Sequence, residues 1–352
     1  FLSALYDIVA MEIEDEYLWP QSMPCIIPED NKIPIARFSD NKLGKTASEY
    51  REKLLQKYGG KKQLLSGIHY NFSFNEKFIK KLYENSDKAL DYKHFKNKIY
   101  LKVSRNYLRY RWLLIYLLGG TGTVHETYIE DCVRQLEEVG EGGFSNEGAL
   151  SYRNSECGYT NKHELFPSYN SVEEYVSSLE QFIKEGLIES PRELYSQIRL
   201  KAKDNYNIMD SLIEEGINYL EYRSIDINPF DKAGISLEDL EFINIFNLFL
   251  LIEDESNYEI WQEEALENQK TISRYGQNKV TLKKDGKPID KEEWGIEILE
   301  KIKKINEELS LEKEDILNKM IEKIKDYKLT YAYKIIEKVK EEGYVKAHLN
   351  LA

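Results

Sequence analysis

Residues 63–74 alternate between apolar and polar side chains, a pattern typical of a β-strand with one buried side. Successive side chains of a strand point to opposite sides, so the residues fall into two sets. The set that suits a core comprises Leu64, Ile68, Tyr70, Phe72 and Phe74, with Ser66 among them. The set that suits a ligand comprises Gln63, Leu65, Gly67, His69, Asn71 and Ser73. A half-exposed sheet with a surface histidine explains the alternation equally well.

A second strand is predicted over residues 219–227, and it carries charges among apolar residues. Glu221 and Arg223 share one side of this strand, while Ser224, Asp226 and Asn228 share the other. A charge within an apolar strand is costly unless it is paired or binds a ligand. Glu221 and Arg223 suit a metal ion and a phosphate, respectively. An internal ion pair is the alternative, and the pattern alone slightly favours it.

The remaining patterns are mainly helical and predict an α+β fold with a mainly antiparallel sheet. No GxGxxG or Walker sequence occurs, so neither a Rossmann fold nor a P-loop fold is supported. A Gly-rich, Glu-rich segment at residues 138–150 is predicted to be a mobile loop. Helices are predicted at residues 48–58, 75–83, 100–118, 172–185 and 236–252, from residue 294 onward, and within 310–345, with a hairpin at 280–289.

The acidic composition restricts the partners that the chain can bind. The net charge is −13 and the isoelectric point is near 5.2, whereas binding to nucleic acid requires a basic surface. We therefore expect no nucleic-acid partner, although a nucleotide needs only a few local arginines or a metal ion. The most apolar runs, residues 112–118 and 242–252, are far shorter than the roughly 20 residues that span a bilayer. We expect no membrane association.

The three cysteines, Cys25, Cys132 and Cys157, are far apart in the sequence and form no CxxC motif. An odd number cannot form a complete set of disulfides. We therefore expect reduced thiols in a cytoplasmic protein.

Five segments, taken in order, resemble the glutamate–cysteine ligase family, particularly its bacterial type. They are a WPxSMP-like segment at 17–25, the run at 50–59 that continues into SGIHYNFS at 66–73, RNYLRY at 105–110, an R-x-S-x-x-GYTN loop at 153–161, and an RS-hydrophobic-DINPF strand at 222–230. The resemblance extends from about residue 17 to residue 235. Each motif is moderately specific, and their common order makes the resemblance strong.

The resemblance implies a glutamine synthetase-like fold, in which a curved, mainly antiparallel sheet is packed with helices. It also implies ATP-dependent ligation of the γ-carboxylate of L-glutamate to the amine of L-cysteine through a γ-glutamyl phosphate, the first step of glutathione biosynthesis. The implied cofactors are ATP and Mg²⁺, with Mn²⁺ possible, and the implied partners are glutamate, cysteine and ATP. Residues 1–352 would form a single catalytic domain that lacks the family's N-terminal strands, with a helical C-terminal part at 291–352.

The resemblance also assigns individual residues to the site. His69 and Glu221 match metal ligands, and Arg51 and Arg223 match residues near the transferred phosphate. The amino-acid pockets would include Gln63, Leu65, Arg153, Tyr159 and Tyr195, with Tyr50 and Leu54 bordering the cysteine pocket. Three alternatives stay open: the ligase part of a bifunctional glutathione-synthesising protein, a related carboxylate–amine ligase that uses another amine, and an inactive fragment.

Overall fold

The computed structural model describes residues 1–204 and 206–352 and has an α+β architecture, which confirms the predicted fold class. Within these residues, the helices are α1 (Leu2–Glu12), α2 (Lys42–Tyr58), α3 (Gly60–Gln63), α4 (Glu76–Glu84), α5 (Tyr92–Leu118), α6 (Glu130–Val133), α7 (Val172–Lys184), α8 (Ile208–Glu215), α9 (Leu237–Ile252), α10 (Trp261–Tyr275), α11 (Lys291–Glu308), α12 (Glu314–Lys325), α13 (Tyr331–Glu342) and α14 (Tyr344–Leu349). Over the same ranges, no helix has both the length and the apolar character needed to cross a membrane.

The described strands form three small sheets in which every strand pair is antiparallel. The strands are β1 (Ile68–Phe72), β2 (Val124–His125), β3 (Glu137–Gly140), β4 (Gly143–Ser145), β5 (Ile198–Lys201), β6 (Tyr219–Ile225), β7 (Thr281–Lys284) and β8 (Lys287–Asp290). The central sheet has the order β1-β6-β5, a second has the order β2-β4-β3, and β7 and β8 form the predicted hairpin.

The central sheet packs one side against the long helix α5, most of which is buried. Tyr222 of β6 stacks on Tyr107 of α5, with ring centroids 3.9 Å apart. The Tyr222 hydroxyl donates to Asn247 Oδ1 at 2.6 Å, so this fully buried ring leaves no unpaired hydroxyl. Tyr70 of β1 packs beside Tyr222, with ring centroids 5.8 Å apart. These aromatic contacts hold the sheet against α5, and the polar side chains lie on the opposite side of the sheet.

Several helix ends follow the capping signals of the sequence. The side chains of Asn75, Ser171 and Asp290 each accept a backbone N–H of the helix that follows. Ser236 and Asp239 form a complete capping box at the start of α9. Local chemistry therefore predicts these boundaries well.

The strand predicted at residues 63–74 is shorter than expected and begins at Ile68. Gln63 lies in α3 instead, and its side-chain amide donates to the Gly59 carbonyl at 3.0 Å. Leu65 lies in the following loop and packs against a second apolar cluster that includes Met23 and Tyr128. The prediction that Gln63 and Leu65 share a strand face with His69 was wrong, because α3 and the loop take up the first half of the segment.

The prediction of a mobile loop at residues 138–150 is also wrong, because β3 and β4 form a hairpin there. The glycines that suggested mobility serve close packing. A Cβ at Gly140 would lie 2.1 Å from the Val339 carbonyl oxygen, and one at Gly143 would lie 2.5 Å from Val339 Cγ1. The hairpin therefore packs directly against α13.

The expectation of reduced cysteines fails for two of the three residues. Cys132 of α6 and Cys157 form a disulfide with a Cα–Cα distance of 5.6 Å, while Cys25 is free. The two cysteines meet within the second apolar cluster, where the Tyr128 hydroxyl donates to the Cys157 carbonyl at 2.7 Å. The pairing links α6 to the loop that carries Arg153 and Tyr159, a tertiary contact that spacing along the chain does not reveal.

Candidate active site

The side of the central sheet that faces away from α5, here called the polar face, concentrates charge. Its members are His69 and Asn71 of β1, Glu221 and Arg223 of β6, and Arg199 and Lys201 of β5. Strand pairing sets Asn71 and Arg199 opposite Glu221 on its two sides. The face carries three cationic groups against one carboxylate, so it favours an anionic ligand.

Glu221 is already engaged with cations of this face. Its carboxylate lies 3.4 Å from Lys201 Nζ and 3.6 Å from Arg223 Nε. Burial alone would raise the pKa of Glu221, but Lys201, Arg199 and Arg223 outweigh it and hold the pKa below its ordinary value. The ion pair that the sequence left open is therefore present, and the carboxylate is ionised.

His69 is a neutral acceptor beside the same arginine. Arg223 Nε donates to His69 Nε2 at 3.4 Å. Burial, and then the positive charge of Arg223, lower the pKa of the His69 ring. The unprotonated nitrogen is the form that can bind a metal ion.

Metal binding by these side chains alone is not supported over residues 1–204 and 206–352. No cluster of three or more histidine, cysteine, aspartate or glutamate side chains suited to a metal ion occurs there. His69 and Glu221 would supply two ligands, whereas Mg²⁺ requires about six in octahedral geometry. A magnesium ion at this face would therefore depend on further ligands from phosphates, water or other groups.

A third arginine, Arg153, approaches the polar face through a gap at Gly67. Arg153 Nη2 donates to the Arg223 carbonyl at 2.6 Å, and Nη1 lies 3.7 Å from Asp226 Oδ1. A Cβ at Gly67 would lie only 2.3 Å from the guanidinium carbon of Arg153. Glycine is thus required at position 67 because a side chain, and not a ligand, fills that space.

Asp226 anchors this arginine from the interior. It is 2% exposed and accepts hydrogen bonds from Gly120 N at 3.1 Å and Thr121 Oγ1 at 2.6 Å. Its pKa is raised by burial, and the nearby charge of Arg153 counteracts that shift. Asp226 therefore positions Arg153 and leaves part of the guanidinium without a hydrogen bond.

Two buried guanidinium nitrogens near the polar face make no hydrogen bond to any described residue: Arg153 Nη1, which has only the longer ion pair with Asp226, and Arg223 Nη1. A buried donor without a partner costs free energy, and such groups are rare in native proteins. Burial and the neighbouring Arg199 lower the pKa of Arg223 to about 10, so it still carries its charge at neutral pH. The two donors are available to a carboxylate or phosphate oxygen, the ligands that guanidinium groups bind best.

Beside the arginines lies a group of three tyrosines, Tyr58, Tyr159 and Tyr195, here called the tyrosine cluster. The hydroxyls of Tyr159 and Tyr195 are 2.8 Å apart, and the Tyr58 ring contacts both rings edge-on. Their combined surface is apolar at the rings and polar at the hydroxyls, which suits a small organic side chain.

Glu193 holds the tyrosine cluster in place through a hydrogen bond from Tyr58. It is fully buried, accepts the Tyr58 hydroxyl at 2.5 Å and pairs with Lys57 Nζ at 2.6 Å. Burial would raise the pKa of Glu193, but the bonds from Lys57 and Tyr58 outweigh it and lower the pKa. Asn161 adds a second tie, since its side chain accepts Tyr195 N at 2.8 Å and donates to the Glu193 carbonyl at 2.7 Å.

The remaining predicted residues lie on α2, next to the tyrosine cluster or within the helix packing. Burial raises the pKa of Tyr159, and the charges of Tyr50 and Arg51 act on it in opposite directions. Arg51 is exposed, whereas Leu54, one turn along the helix, is 2% exposed. The structure leaves Gln63 and Leu65 off the polar face, and Tyr50 and Arg51 stay predicted site residues of α2.

Sequence reasoning missed several residues of the site: Lys57, Tyr58, Asn161, Glu193, Arg199 and Lys201. Arg199 and Lys201 could have been found, because they alternate with the buried Ile198 and Leu200 on β5. Glu193 has no local signal, since its partners Lys57 and Tyr58 are more than 130 residues away.

Comparison with known proteins adds an independent result. Residues 1–272 match the family model described as glutamate–cysteine ligase. The glutathione biosynthesis bifunctional protein GshAB of Clostridium perfringens is 39% identical over 100% of this chain and 46% of its own length. The protein of the same name from Listeria monocytogenes is 40% identical over the same shares. The chain thus spans about half the length of these curated relatives.

Two solved structures share the fold over nearly the whole chain. The glutamate–cysteine ligase of Francisella tularensis, determined in complex with AMP, superposes with a TM-score of 0.88 and 26% identity, covering 99% of this chain and 75% of that one. A bifunctional glutathione synthetase from Pasteurella multocida gives a TM-score of 0.84 and 30% identity, covering 99% and 43%. The family model and these relatives agree with the motifs and the sheet, and the chain belongs to the glutamate–cysteine ligase family.

Proposed function

We propose that the protein joins the γ-carboxylate of L-glutamate to the amine of L-cysteine at the expense of ATP. The observation that carries this proposal is a pair of buried guanidinium nitrogens beside the tyrosine cluster, Arg153 Nη1 and Arg223 Nη1, that make no hydrogen bond to the described residues. They supply anion recognition next to a pocket for a small side chain, and membership of the family supports the choice of substrates. The AMP bound in the Francisella tularensis relative supports a nucleotide as the third ligand.

The reaction needs an activated acyl group because a carboxylate is a poor electrophile. One oxygen of the glutamate γ-carboxylate attacks the γ-phosphorus of ATP, ADP leaves, and a γ-glutamyl phosphate forms. The cysteine nitrogen then attacks the acyl carbon, phosphate leaves with the transferred oxygen, and the nitrogen loses a proton. Catalysis of this kind rests on alignment of the reactants and on neutralisation of phosphate charge.

The residues divide naturally between these tasks. Arg223 and the exposed Arg51 are proposed to neutralise charge on the transferred phosphoryl group. Arg153, held by Asp226, is proposed to bind a substrate carboxylate. The tyrosine cluster, with Tyr50 and Leu54 behind it, is proposed to receive the cysteine side chain. Gln63 and Leu65 remain proposed pocket residues, which would act from the loop before β1 and not from the strand itself.

Mg²⁺ is the proposed metal ion, with Mn²⁺ as the alternative, and it would supply additional neutralisation of phosphate charge. His69 and Glu221 would contribute to its shell, and substrate phosphates and water would complete it. Dissociation of Glu221 from Lys201 is then required, since that ammonium group lies 3.4 Å from the carboxylate. We propose the cytoplasm as the site of the reaction, because it holds the nucleotide substrate.

Oxygen transfer tests the proposed intermediate. Glutamate labelled with ¹⁸O in its γ-carboxylate is incubated with ATP and cysteine, and the released phosphate is analysed by mass spectrometry. We expect one labelled oxygen in each phosphate formed, together with γ-glutamylcysteine. Unlabelled phosphate would rule out the acyl phosphate, and glutamate labelled only in the α-carboxylate is the control.

The amine substrate is tested separately, because a related ligase could use another amine. Binding of cysteine, serine and 2-aminobutyrate is compared by calorimetry in the presence of glutamate and an ATP analogue. Cysteine is expected to bind at least tenfold more tightly than serine, because the tyrosine rings favour the thiol over a hydroxyl. Equal affinities would count against cysteine as the substrate.

The names of the Clostridium and Listeria relatives favour a second candidate, the ligase part of a bifunctional glutathione-synthesising protein. ADP release by the 352-residue chain is therefore compared with that of the full-length product of its gene. Activity in the long form alone would identify this chain as an inactive fragment, and equal activity would reject that alternative. Formation of glutathione when glycine is added would establish the bifunctional activity.

A further inference from the structure

A cavity of about 280 Å³ is lined in part by Tyr195 of the tyrosine cluster. Helices α5 and α10, the loop after Asn154 and the segment around Ser196 enclose it. Neither Arg153 nor Arg223 lines the cavity, whereas Tyr195 belongs both to its wall and to the tyrosine cluster. Its volume is close to the lower limit of about 300 Å³ for pockets that bind small molecules.

Arg111 of α5 lines this cavity, and its buried charge has no carboxylate partner among the described residues. It is 4% exposed, and no carboxylate lies within ion-pairing distance of it among the described residues. Its Nε donates to Gln269 Oε1, and its Nη1 donates to the Leu108 carbonyl at 2.7 Å. Burial lowers the pKa of Arg111 to about 10, so the guanidinium is still charged at neutral pH. A buried, unneutralised charge is costly unless a ligand compensates it.

The acidic residues of the cavity wall do not provide that compensation. Glu164 pairs with Lys270, and Glu156 pairs with Arg274 at 3.1 Å. These two carboxylates therefore do not neutralise Arg111, and Lys162 adds a further positive charge to the cavity wall. An anionic group would neutralise it.

The rest of the wall indicates what carries the anion. Its apolar part includes Leu165, Phe166 and Leu266, which favour a compact hydrophobic body. Tyr169 adds a buried hydroxyl to the wall, and this hydroxyl makes no hydrogen bond to the described residues. Gln269 donates to the Asn154 carbonyl at 2.8 Å while it holds Arg111, so the guanidinium is fixed in position.

We propose that this cavity is a second small-molecule site, which binds a carboxylate on a compact apolar body with Arg111 as its anion-binding group. The site is separate from the polar face, and its existence does not depend on the ligase reaction. Since Tyr195 is common to both walls, a ligand in the cavity would contact the back of the tyrosine cluster.

The test uses phenylacetate as the probe and phenylacetamide as its neutral isostere, each titrated calorimetrically into the 352-residue chain. We expect phenylacetate to bind at least tenfold more tightly, because only the carboxylate neutralises Arg111. In the Arg111→Met variant the affinity for phenylacetate is expected to fall at least tenfold, while that for phenylacetamide stays within about twofold. Equal affinities of the two probes, or no binding of either, would overturn the proposal.

Two controls separate this site from other arginines and from misfolding. Leu266→Trp fills the cavity without a change of charge, and it is expected to abolish binding of both probes. Arg223→Met removes the arginine of the polar face and is expected to leave phenylacetate binding unchanged. Loss of binding in Arg223→Met, or its retention in Leu266→Trp, would show that the probe binds elsewhere. Near-ultraviolet circular dichroism establishes that each variant is folded.

Discussion

Strand β6 carries Tyr222 on its inner side and Arg223 on the polar face, and these two side chains differ in how completely they are hydrogen-bonded. On the inner side, the Tyr222 ring is fully buried, stacks on Tyr107 and donates its hydroxyl to Asn247. On the polar face, Arg223 shares Glu221 with Lys201 and keeps a buried N–H without a partner. The Tyr222 hydroxyl is hydrogen-bonded without a ligand, although Asn247 Nδ2 beside it has no partner among the described residues, whereas Arg223 Nη1 on the polar face is left without a hydrogen bond. The contrast indicates that the inner side supplies stability, whereas the polar face supplies binding at some cost to stability.

The largest expected effect concerns the inner side. Tyr222→Ala removes a buried aromatic ring and leaves a cavity, so we expect a loss of about 4 kcal/mol in the free energy of unfolding. Urea denaturation followed by circular dichroism measures the change. Tyr17→Ala is the matched control, because Tyr17 is 66% exposed, and it should change stability by less than about 0.5 kcal/mol. A loss below about 1 kcal/mol for Tyr222→Ala would contradict this account of the inner side.

The polar face is expected to show the reverse pattern. Arg223→Met should lower kcat/KM by about 10²- to 10³-fold, through loss of a charge-stabilising donor, equivalent to about 3–4 kcal/mol. Its melting temperature should stay the same or rise, since an incompletely paired buried charge is removed. Arg134→Met, at an exposed arginine paired with Glu130, is the control and should alter neither quantity. A destabilisation as large as that of Tyr222→Ala would remove the distinction between the two sides.

The pH dependence of stability gives a further test of the buried interior, through the protonation of His348. His348 is fully buried, and burial lowers its pKa from 6.5 to about 4. The native state therefore binds fewer protons than the unfolded state between these values. The stability that this group provides is complete above about pH 6.5 and is lost as the pH falls towards 4, with a loss of about 2 kcal/mol at pH 5.

Urea denaturation at pH 7 and at pH 5 measures this contribution. In His348→Gln, the difference in unfolding free energy between the two pH values should shrink by about 2 kcal/mol. His163→Gln removes an exposed histidine and should leave that difference as in the parent chain. An identical pH dependence in His348→Gln and the parent would show that His348 does not titrate as described.

The smallest expected effect tests the gap that admits Arg153. Gly67→Ala introduces a methyl group 2.3 Å from the Arg153 guanidinium carbon, so the guanidinium must shift away from the polar face. We expect about a tenfold rise in KM for glutamate, corresponding to about 1.4 kcal/mol, with little change in melting temperature. Ser66→Ala, at the exposed neighbouring position, should leave KM unchanged. A normal KM in Gly67→Ala would show that Arg153 need not occupy this gap.

Local signals in the sequence predict much of the fold and part of the site. Alternation identifies β6 and also β1, which occupies the second half of the segment predicted at 63–74, and it separates Tyr70 from His69. Alternation fails at Gln63, because a helical turn interrupts the pattern and is stabilised by that residue's own side chain. Glu193 and the Cys132–Cys157 pair were missed since their contacts join distant segments. Their roles appear only once tertiary packing is known.

The gap at Gly67 also restricts which substitutions this protein can accept at positions 67 and 153. Positions 67 and 153 compete for one volume, so a side chain can grow at one of them only if it shrinks at the other. A loop transplanted from a homologue would bring its own residue at position 153 and would need the matching residue at position 67. The two positions, which lie on separate segments of the chain, should therefore be exchanged together in an engineered variant.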